Sequence, residues 1–131
     1  MSTTASVQEK NKEIVLAFYK EAHFDGDVDG AIARYVGDTY VQHTAGAEDG
    51  VEGLRKYINF FLETFPNAKG DIRRVLADGD LVAVHAHWVN LVGKNGDVGI
   101  DLFRVKDGKL VEHWDVLAAI PDTSKNNNTV Y

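Results

Sequence analysis

Two aspartates and a histidine near the C-terminal end of the chain are the residues best suited to chemistry. Asp101 lies in one predicted strand, and His113 and Asp115 lie in the next, beyond a turn at Asp107-Gly108. Alternate residues of such strands enter the core, so a carboxylate there must be neutralised, paired, solvated in a cavity or used. Burial and a neighbouring like charge raise the pKa of a carboxyl group and suit it to general acid or base catalysis. The sequence therefore predicts proton transfer, with these three side chains as the catalytic candidates.

Whether the two acids share a face of the sheet depends on the turn between their strands. A three-residue loop at 106–108, with its glycine in the left-handed conformation of a bulge, pairs Asp101 with His113. The same register sets Gly99 opposite Asp115, so that all three candidates share one face. A two-residue loop separates the acids instead. We predict the three-residue loop, because it avoids two lysines directly opposite each other.

The preceding turn, at 94–96, is predicted to have the same three-residue form. Counting back from it sets His87 opposite Phe103 and Val89 opposite Asp101. His85 then points the same way as His87, since the two are separated by one residue. Both histidines and Phe103 are therefore predicted to join the pocket face.

The opposite face of the sheet is predicted to be apolar. The register of the strand that ends at Asp78 stays open, so either Arg73 or Arg74 can point inward. An apolar sheet face of this extent is a candidate homodimer surface. Its predicted members are Val84, Trp88, Ile100, Leu102, Trp114 and Val116.

Four further side chains are predicted to bind the substrate in the same pocket. His43 ends a short β-favouring segment beside a glycine-rich loop, and the alternative is a loop histidine in solvent. Phe18, Tyr35 and Phe61 have the spacing of core aromatics. In a cone-shaped fold the core and the pocket wall are the same layer, so these rings are expected to line the pocket.

The His85-x-His87 spacing can also bind a metal, as in the all-β cupins. Helices are predicted to precede the strands here, which does not fit that fold, and no glutamate follows at the expected short spacing. We therefore predict neither a metal nor another cofactor.

Apolar periodicity predicts three helices followed by four strands. The first helix ends near Phe24, a shorter one covers 31–36, and the third begins after Asp49 and stops at Pro66. From there to Ile120 the pattern has period two and is interrupted by Asp-Gly and Asn-Gly turns, which predicts an antiparallel meander. Helices first and a sheet afterwards indicate an α+β, cone-shaped fold in which three N-terminal helices and a curved sheet enclose a pocket.

Length and composition are typical of one globular domain. The chain has 131 residues, of which 44% are hydrophobic, so we expect a single domain over 1–131 with polar ends at about 1–6 and 122–131. The net charge of -6 disfavours a nucleic-acid partner. No apolar run approaches the roughly 20 residues that cross a membrane. The absence of cysteine fits a cytoplasmic location.

Several short segments occur in a recognisable order, and the last of them is the most specific: Tyr40 to His43, Val82 to His85, Asp101 to Arg104, Gly108-Lys109 and Glu112 to Val116. Over most of its length the chain resembles the SnoaL-like polyketide cyclases of the nuclear transport factor 2-like superfamily. The resemblance implies the cone fold, dimers packed through the sheet, and an intramolecular aldol reaction without metal or organic cofactor. By position, Asp115 resembles the general acid or base of those enzymes, whereas Asp101 stands where they often have histidine.

The leading hypothesis is a cofactor-free enzyme that acts on a small, apolar, carbonyl-bearing molecule. Asp115 moves a proton α to the carbonyl, and His113, Asp101 or His85 orients or protonates the oxygen. Cyclisation by an aldol reaction and isomerisation of an enone both use this step.

Two alternatives stay open. Epoxide hydrolysis uses two acids and an arginine to activate water, and it requires Arg73 or Arg74 to point inward. A non-catalytic ligand-binding or interaction domain is favoured if the pocket is closed and an arginine pairs with Asp115. The fold alone does not choose between them.

Overall fold

The three predicted helices are present, and the first strand of the sheet lies between the second and the third of them. The computed structural model describes the backbone of residues 3–131 and the side chains of residues 7–131, so the side chains of the predicted polar lead at about 1–6 lie outside the described residues. Helix α1 (Thr3–Tyr19) continues into a π-helical turn (Lys20–Phe24), which ends where the first helix was predicted to end. Helix α2 covers Val28–Tyr35 and helix α3 covers Gly50–Thr64.

Five strands form one open sheet: β1 (Val36–Gln42), β2 (Lys69–Asp78), β3 (Leu81–Val89), β4 (Asp97–Lys106) and β5 (Lys109–Ala119). The spatial order is β1-β5-β4-β3-β2. Strands β2 to β5 form the predicted antiparallel meander, and β1 adds to its edge in parallel with β5. The predicted α+β class is confirmed.

The helices cover one face of this sheet because their apolar residues recur at helical spacing. In α3, Leu54 and Ile58 are four residues apart and both are buried. In β3, alternate residues are buried, which identifies the face that meets the helices. The core formed between the two layers includes Val15, Phe18, Ile58, Val82, Val84, Phe103 and Leu110.

The turn between β4 and β5 differs from the predicted three-residue loop. Asp107 and Gly108 form a two-residue turn with φ of 51° and 76°, and Lys106 pairs with Lys109. Two successive positive φ values match the hairpin turn that Asp-Gly favours. The predicted pairs of Asp101 with His113 and of Gly99 with Asp115 are therefore wrong.

A β-bulge after this turn nevertheless brings the candidates to one face. Val105 pairs with Leu110 and Arg104 with Glu112, so that Val111 is the extra residue on β5. Beyond the bulge, Asp101 lies directly opposite Asp115. His113 lies opposite Phe103, two pairs nearer the turn, and so points the same way. The predicted common face is confirmed through a different register.

The connection between β3 and β4 contradicts the other predicted register. It spans residues 90–96 rather than a three-residue loop, and it sets Val84, not Val89, opposite Asp101. Val84 and Val89 are an odd number of residues apart, so the side chains of β3 that were predicted to face the pocket face outward instead. His85 and His87 therefore lie on the outer face, away from the helices, and not on the pocket face as predicted.

The same reversal changes the membership of the outer face. Val84 and Trp88 are buried on the helix side, whereas they were predicted to face outward. The pairs Ile100–Val116 and Leu102–Trp114 do belong to the outer face.

The structure of strand β2 shows that neither Arg73 nor Arg74 points into the pocket. Both are exposed: Arg73 Nη1 donates to Asp71 Oδ2 at 2.9 Å, and Arg74 Nη1 contacts His85 Nδ1 at 2.8 Å on the outer face.

In the polar tail, Tyr131 stacks on His87 with 3.8 Å between ring centroids. Among the described residues, no helix is long and apolar enough to cross a membrane.

Candidate functional site

A cavity of about 280 Å³ lies between the helices and the inner face of the sheet. Its apolar wall is mostly aromatic and includes Phe18, Phe61, Phe65, Trp88, Leu91 and Phe103. Its polar residues come from the end of α1 and the π-helical turn, from β1 and the loop after it, and from α3, β4 and β5: Tyr19, His23, Tyr40, Gln42, Thr44, Tyr57, Asp101, His113 and Asp115. The cavity therefore combines an apolar interior with a cluster of ionisable groups.

His113 and Asp101 form the centre of this cluster. The His113 side chain is 8% exposed, and its Nε2 lies 2.7 Å from Asp101 Oδ1. The hydroxyl of Tyr19 donates to the other carboxylate oxygen, Oδ2, at 3.3 Å. Both oxygens of Asp101 are therefore engaged, which fixes the orientation of the carboxylate.

The contact with Gln42 requires a proton on Nδ1 of His113, and the contact between Nε2 and Asp101 Oδ1 requires a second proton on one of those two atoms. The backbone N–H of Thr44 donates to Gln42 Oε1 at 3.1 Å, which identifies that atom as the amide oxygen. His113 Nδ1 lies 2.7 Å from the same oxygen and must donate to it. This contact exists because β1 runs parallel to β5 and pairs Gln42 with His113.

Asp115 is the less constrained of the two acids. The hydroxyl of Thr44 donates to Asp115 Oδ1 at 2.8 Å, and Oδ2 has no hydrogen-bond partner among the residues that the structure describes. Asp115 lines the cavity and is also exposed, so it lies where the cavity meets solvent. It sits directly opposite Asp101, with His113 close to both. A carboxylate with one held and one available oxygen can accept a proton from a bound molecule.

Two buried phenols adjoin the acids. Burial raises the pKa of Tyr19 well above its ordinary value, and the charge of Asp101 raises it further. Burial also raises the pKa of Tyr40, with smaller contributions from Asp101 and Asp115. Both phenols therefore stay protonated; Tyr19 donates to Asp101, and the hydroxyl of Tyr40 has no partner among the described residues.

His23 presents a different polar group to the cavity. It belongs to the π-helical turn, and its ring stacks on Tyr19 with 4.8 Å between centroids. Burial lowers the pKa of His23, since the charged form is poorly solvated there. The imidazole is therefore neutral near pH 7.

Asp101, His113 and Asp115 are also the group that resembles a metal site. One ligand atom from each lies within 4.8 Å of the others. Both ring nitrogens of His113 already have partners, in Asp101 and Gln42. A cation held here must therefore replace one of those hydrogen bonds.

Of the predicted substrate-binding residues, Phe18, Phe61 and Phe103 line the cavity. His43 does not: alternation along β1 turns Gln42 inward and its neighbour outward, where His43 stacks on Trp114 and contacts Glu112 at 2.8 Å.

Tyr35, His85 and His87 also lie away from the cavity. Tyr35 ends α2 and donates to the carboxylate of Glu21. His85 contacts Arg74, and His87 stacks on Tyr131, both on the outer face.

Sequence reasoning missed several cavity residues. Gln42 and Thr44 follow Tyr40 at intervals of two, so the period of a strand could have selected them instead of His43. Trp88 was missed because the register of β3 was wrong. His23 gave no signal, since a π-helical turn has no sequence pattern that distinguishes it from an α-helix.

Known structures share this fold. One from Bacillus cereus, described as a proposed polyketide cyclase, is 26% identical, with a TM-score of 0.69 over 82% of this chain and 74% of that one. A proposed SnoaL-like polyketide cyclase from a Jannaschia species is 19% identical, with a TM-score of 0.73 over 89% of each chain. A third, TsrD from Streptomyces laurentii, is 20% identical, with a TM-score of 0.66 over 89% of this chain and 91% of that one. No significant match occurs among curated proteins.

The family model described as a SnoaL-like domain matches residues 15–113. This segment holds α2, α3, the first four strands, Asp101 and His113, and it ends two residues before Asp115. Because the match covers most of the chain, the protein belongs to the SnoaL-like domain family.

Proposed function

We propose that this protein is an enzyme that removes a proton α to the carbonyl group of a small, apolar molecule, with Asp115 as the base. The observation that carries the proposal is the difference between the two acids. Asp101 has both oxygens bonded, whereas Asp115 has one oxygen held by Thr44 and one without a partner among the described residues. A base must be positioned and still able to accept a proton, and only Asp115 meets both conditions.

In the proposed step, the α C–H bond breaks and its proton passes to Asp115. The electron pair forms the enolate, whose charge develops on the carbonyl oxygen. Hydrogen-bond donors that are already in place stabilise such a charge without reorganising. Tyr40 lines the cavity and its buried hydroxyl has no partner among the described residues, which makes it our candidate for this role.

The enolate has two productive fates that this site supports. In an aldol-type cyclisation its carbon attacks a second carbonyl of the same molecule, and protonated Asp115 returns the proton to the new alkoxide. In the isomerisation of a β,γ-unsaturated ketone the enolate is conjugated with the second double bond, and Asp115 returns the proton to its γ-carbon. Both use one acid–base residue and need no other reactant, which is consistent with the polar groups of the cavity.

Asp101 and His113 act as positioning residues in this proposal. The chain of contacts from Tyr19 through Asp101 and His113 to Gln42 holds the imidazole between two partners. Thr44 links this chain to Asp115, since its backbone N–H binds Gln42 and its hydroxyl binds the acid. Ordered networks of this kind hold catalytic groups within the narrow range of geometry that reaction requires.

The other hypotheses have less support. Epoxide hydrolysis requires an arginine between the acids, and Arg73 and Arg74 are both exposed outside the cavity. A purely binding domain is favoured by an arginine that pairs with Asp115, and among the described residues no arginine or lysine does so. His85, which was a candidate to orient the oxygen, points the wrong way for it.

Exchange of α-hydrogens for deuterium tests the proposal without knowledge of the natural substrate. Tetralone, a bicyclic ketone of suitable size, is incubated in D₂O with the protein, and its α-deuteration is followed by NMR. The wild type is expected to accelerate exchange, and Asp115→Asn is expected to lose about 100-fold or more of that acceleration. The control is Asp38→Asn, because Asp38 is exposed and lies outside the cavity. Equal exchange by wild type and Asp115→Asn contradicts the proposal.

A further inference from the structure

The segment at the end of β1 carries two side chains that hold the acid–base groups. Gln42 ends the strand, and its amide oxygen lies 2.7 Å from Nδ1 of His113. Thr44 lies two residues further on, and its hydroxyl donates to Asp115 Oδ1 at 2.8 Å. Residues separated by one position point to the same side of an extended chain, so both side chains enter the cavity. His43, between them, points to the outer face.

The two contacts are not equally secured by the backbone. The N–H of Gln42 donates to Asp49 Oδ1 at 2.8 Å, and β1 pairs with β5 up to this residue. Thr44 lies beyond the end of the strand, in the connection to α3. Its N–H donates to the side chain of Gln42 at 3.1 Å, and its carbonyl accepts from Ala47 within the same connection. The position of the Thr44 hydroxyl therefore depends on the residue that joins it to the strand, His43.

His43 binds β5 from the outer face. Its backbone N–H donates to the carbonyl of His113 at 3.0 Å. Its ring lies within 1° of parallel to the ring of Trp114, with 4.7 Å between the centroids, and its Nε2 lies 2.8 Å from Glu112 Oε2. Glu112 and Trp114 flank His113 in the sequence. His43 therefore contacts, from the outer side, the strand that carries the acid–base residues.

The two side chains that contact His43 are themselves held in place. Arg104 Nε donates to Glu112 Oε1 at 2.9 Å, and Arg104 Nη1 donates to the two carboxylate oxygens of Asp80 at 2.8 and 3.0 Å. The Arg104 guanidinium also lies over the Trp114 ring, 5.7 Å from its centroid. The contacts of His43 and Arg104 lower the pKa of Glu112, so its carboxylate stays charged near pH 7. A ring and a charged acceptor in fixed positions can orient the His43 side chain, which is itself 41% exposed.

We propose that His43 is a positioning residue for the acid–base site, although it lies on the opposite side of the sheet from the cavity. Its stacking on Trp114 and its contact with Glu112 hold Thr44 where the hydroxyl meets Asp115. A displacement of about 1 Å at a catalytic group can lower a rate about 100-fold, so the support of this hydroxyl matters for the reaction. The role in catalysis rests on the proposed function, whereas the effect on the position of Thr44 does not.

Amide hydrogen exchange followed by NMR tests the positioning directly. The Thr44 amide is bonded to Gln42, so it should be protected in the wild type. His43→Ala should reduce this protection about tenfold or more, because the connection can then open while the sheet stays folded. The Gln42 amide, which Asp49 holds, is the internal reference and should keep its protection. The matched control is His87→Ala, which removes another ring stacked on the outer face and should leave the Thr44 amide unchanged.

A double-mutant cycle on the deuterium exchange of tetralone tests the catalytic consequence. Thr44→Val removes the hydroxyl that binds Asp115, and it should lower the exchange rate at saturating tetralone about tenfold, as the loss of one hydrogen bond to a charged group predicts. His43→Ala should lower the same rate by a similar factor. The dissociation constant should stay within about twofold, since His43 does not line the cavity. If His43 acts through Thr44, the double variant should match Thr44→Val alone to within about twofold.

Two results overturn the inference. One is a Thr44 amide that keeps its protection in His43→Ala. The other is a double variant whose loss is the product of the two single losses, which means that His43 and Thr44 act independently. If Thr44 loses protection but exchange of tetralone does not depend on Asp115, the positioning of Thr44 holds and only the proposed function fails. If exchange depends on Asp115 and His43→Ala leaves Thr44 unaffected, only the present inference fails.

Discussion

Asp97 is predicted to be the acid on which the shape of the site most depends, although it lies outside the cavity lining. It is 1% exposed and begins β4. Its carboxylate accepts the backbone N–H of Val92 at 3.0 Å, and that of Gly93 at 2.9 and 3.1 Å. These bonds close the connection at 90–96, and that connection sets the register that turns Trp88 inward. Substitution of Asp97 therefore tests how the cavity wall is positioned.

The expected loss of stability follows from the number of donors. Hydrogen bonds to a charged group contribute about 1.5–3 kcal/mol each, so Asp97→Ala, which leaves two N–H groups without an acceptor, should cost roughly 3–6 kcal/mol. Asp97→Asn keeps one acceptor oxygen and loses the charge, so it should cost about half as much. For a chain of this size, the milder variant should lower Tm on the order of 5–10 °C.

Urea unfolding, followed by circular dichroism and tryptophan fluorescence, measures both free energies. Asp38→Ala is the matched control, because Asp38 is exposed, and its cost should stay within about 0.5 kcal/mol. The reasoning is refuted if Asp97→Ala is as stable as the control. It is also refuted if Asp97→Asn and Asp97→Ala lose equal stability, since the retained acceptor then has no effect.

Two further predictions concern the π-helical turn and the outer face. Because burial lowers the pKa of His23 below the ordinary value of 6.5, the unfolded state binds more protons below that pH, and stability falls as the pH decreases. His23→Phe should therefore lose less stability than the wild type between about pH 7.5 and pH 5.5 in urea titrations, and an equal loss contradicts this assignment. On the outer face, Leu76, Ile100 and Val116 are 67%, 46% and 71% exposed, and we propose that they form a homodimer contact. Sedimentation should then show a dimer for the wild type and a monomer for Ile100→Glu, whereas a monomeric wild type rules the contact out.

Local sequence signals were sufficient for the elements but for neither of the two predicted strand registers. Apolar spacing located the helices, and the Asp-Gly and Asn-Gly pairs located the strand breaks. The acids share a face because the bulge at Val111 restores the phase that a two-residue turn had shifted. A bulge of this kind has no reliable sequence signal, so the correct face was reached by a wrong pairing.

The remaining errors come from contacts between residues that are distant in sequence. The position of His85 and His87 depends on backbone groups at Val92 and Gly93 that bind Asp97. The role of Gln42 depends on parallel pairing between β1 and β5, which alternation within β1 does not reveal. Neither contact can be derived from the periodicity of a single strand.

The most direct test of the account measures binding and exchange on the same Asp115→Asn sample. If Asp115 is the base, its carboxylate acts in the reaction rather than in holding the ketone. The deuterium exchange rate at saturating tetralone should then fall about 100-fold or more. The dissociation constant of tetralone should stay within about threefold of the wild type, since the carbonyl contacts are unchanged. Exchange that persists in this variant, or a loss of exchange explained entirely by weaker binding, contradicts the central claim.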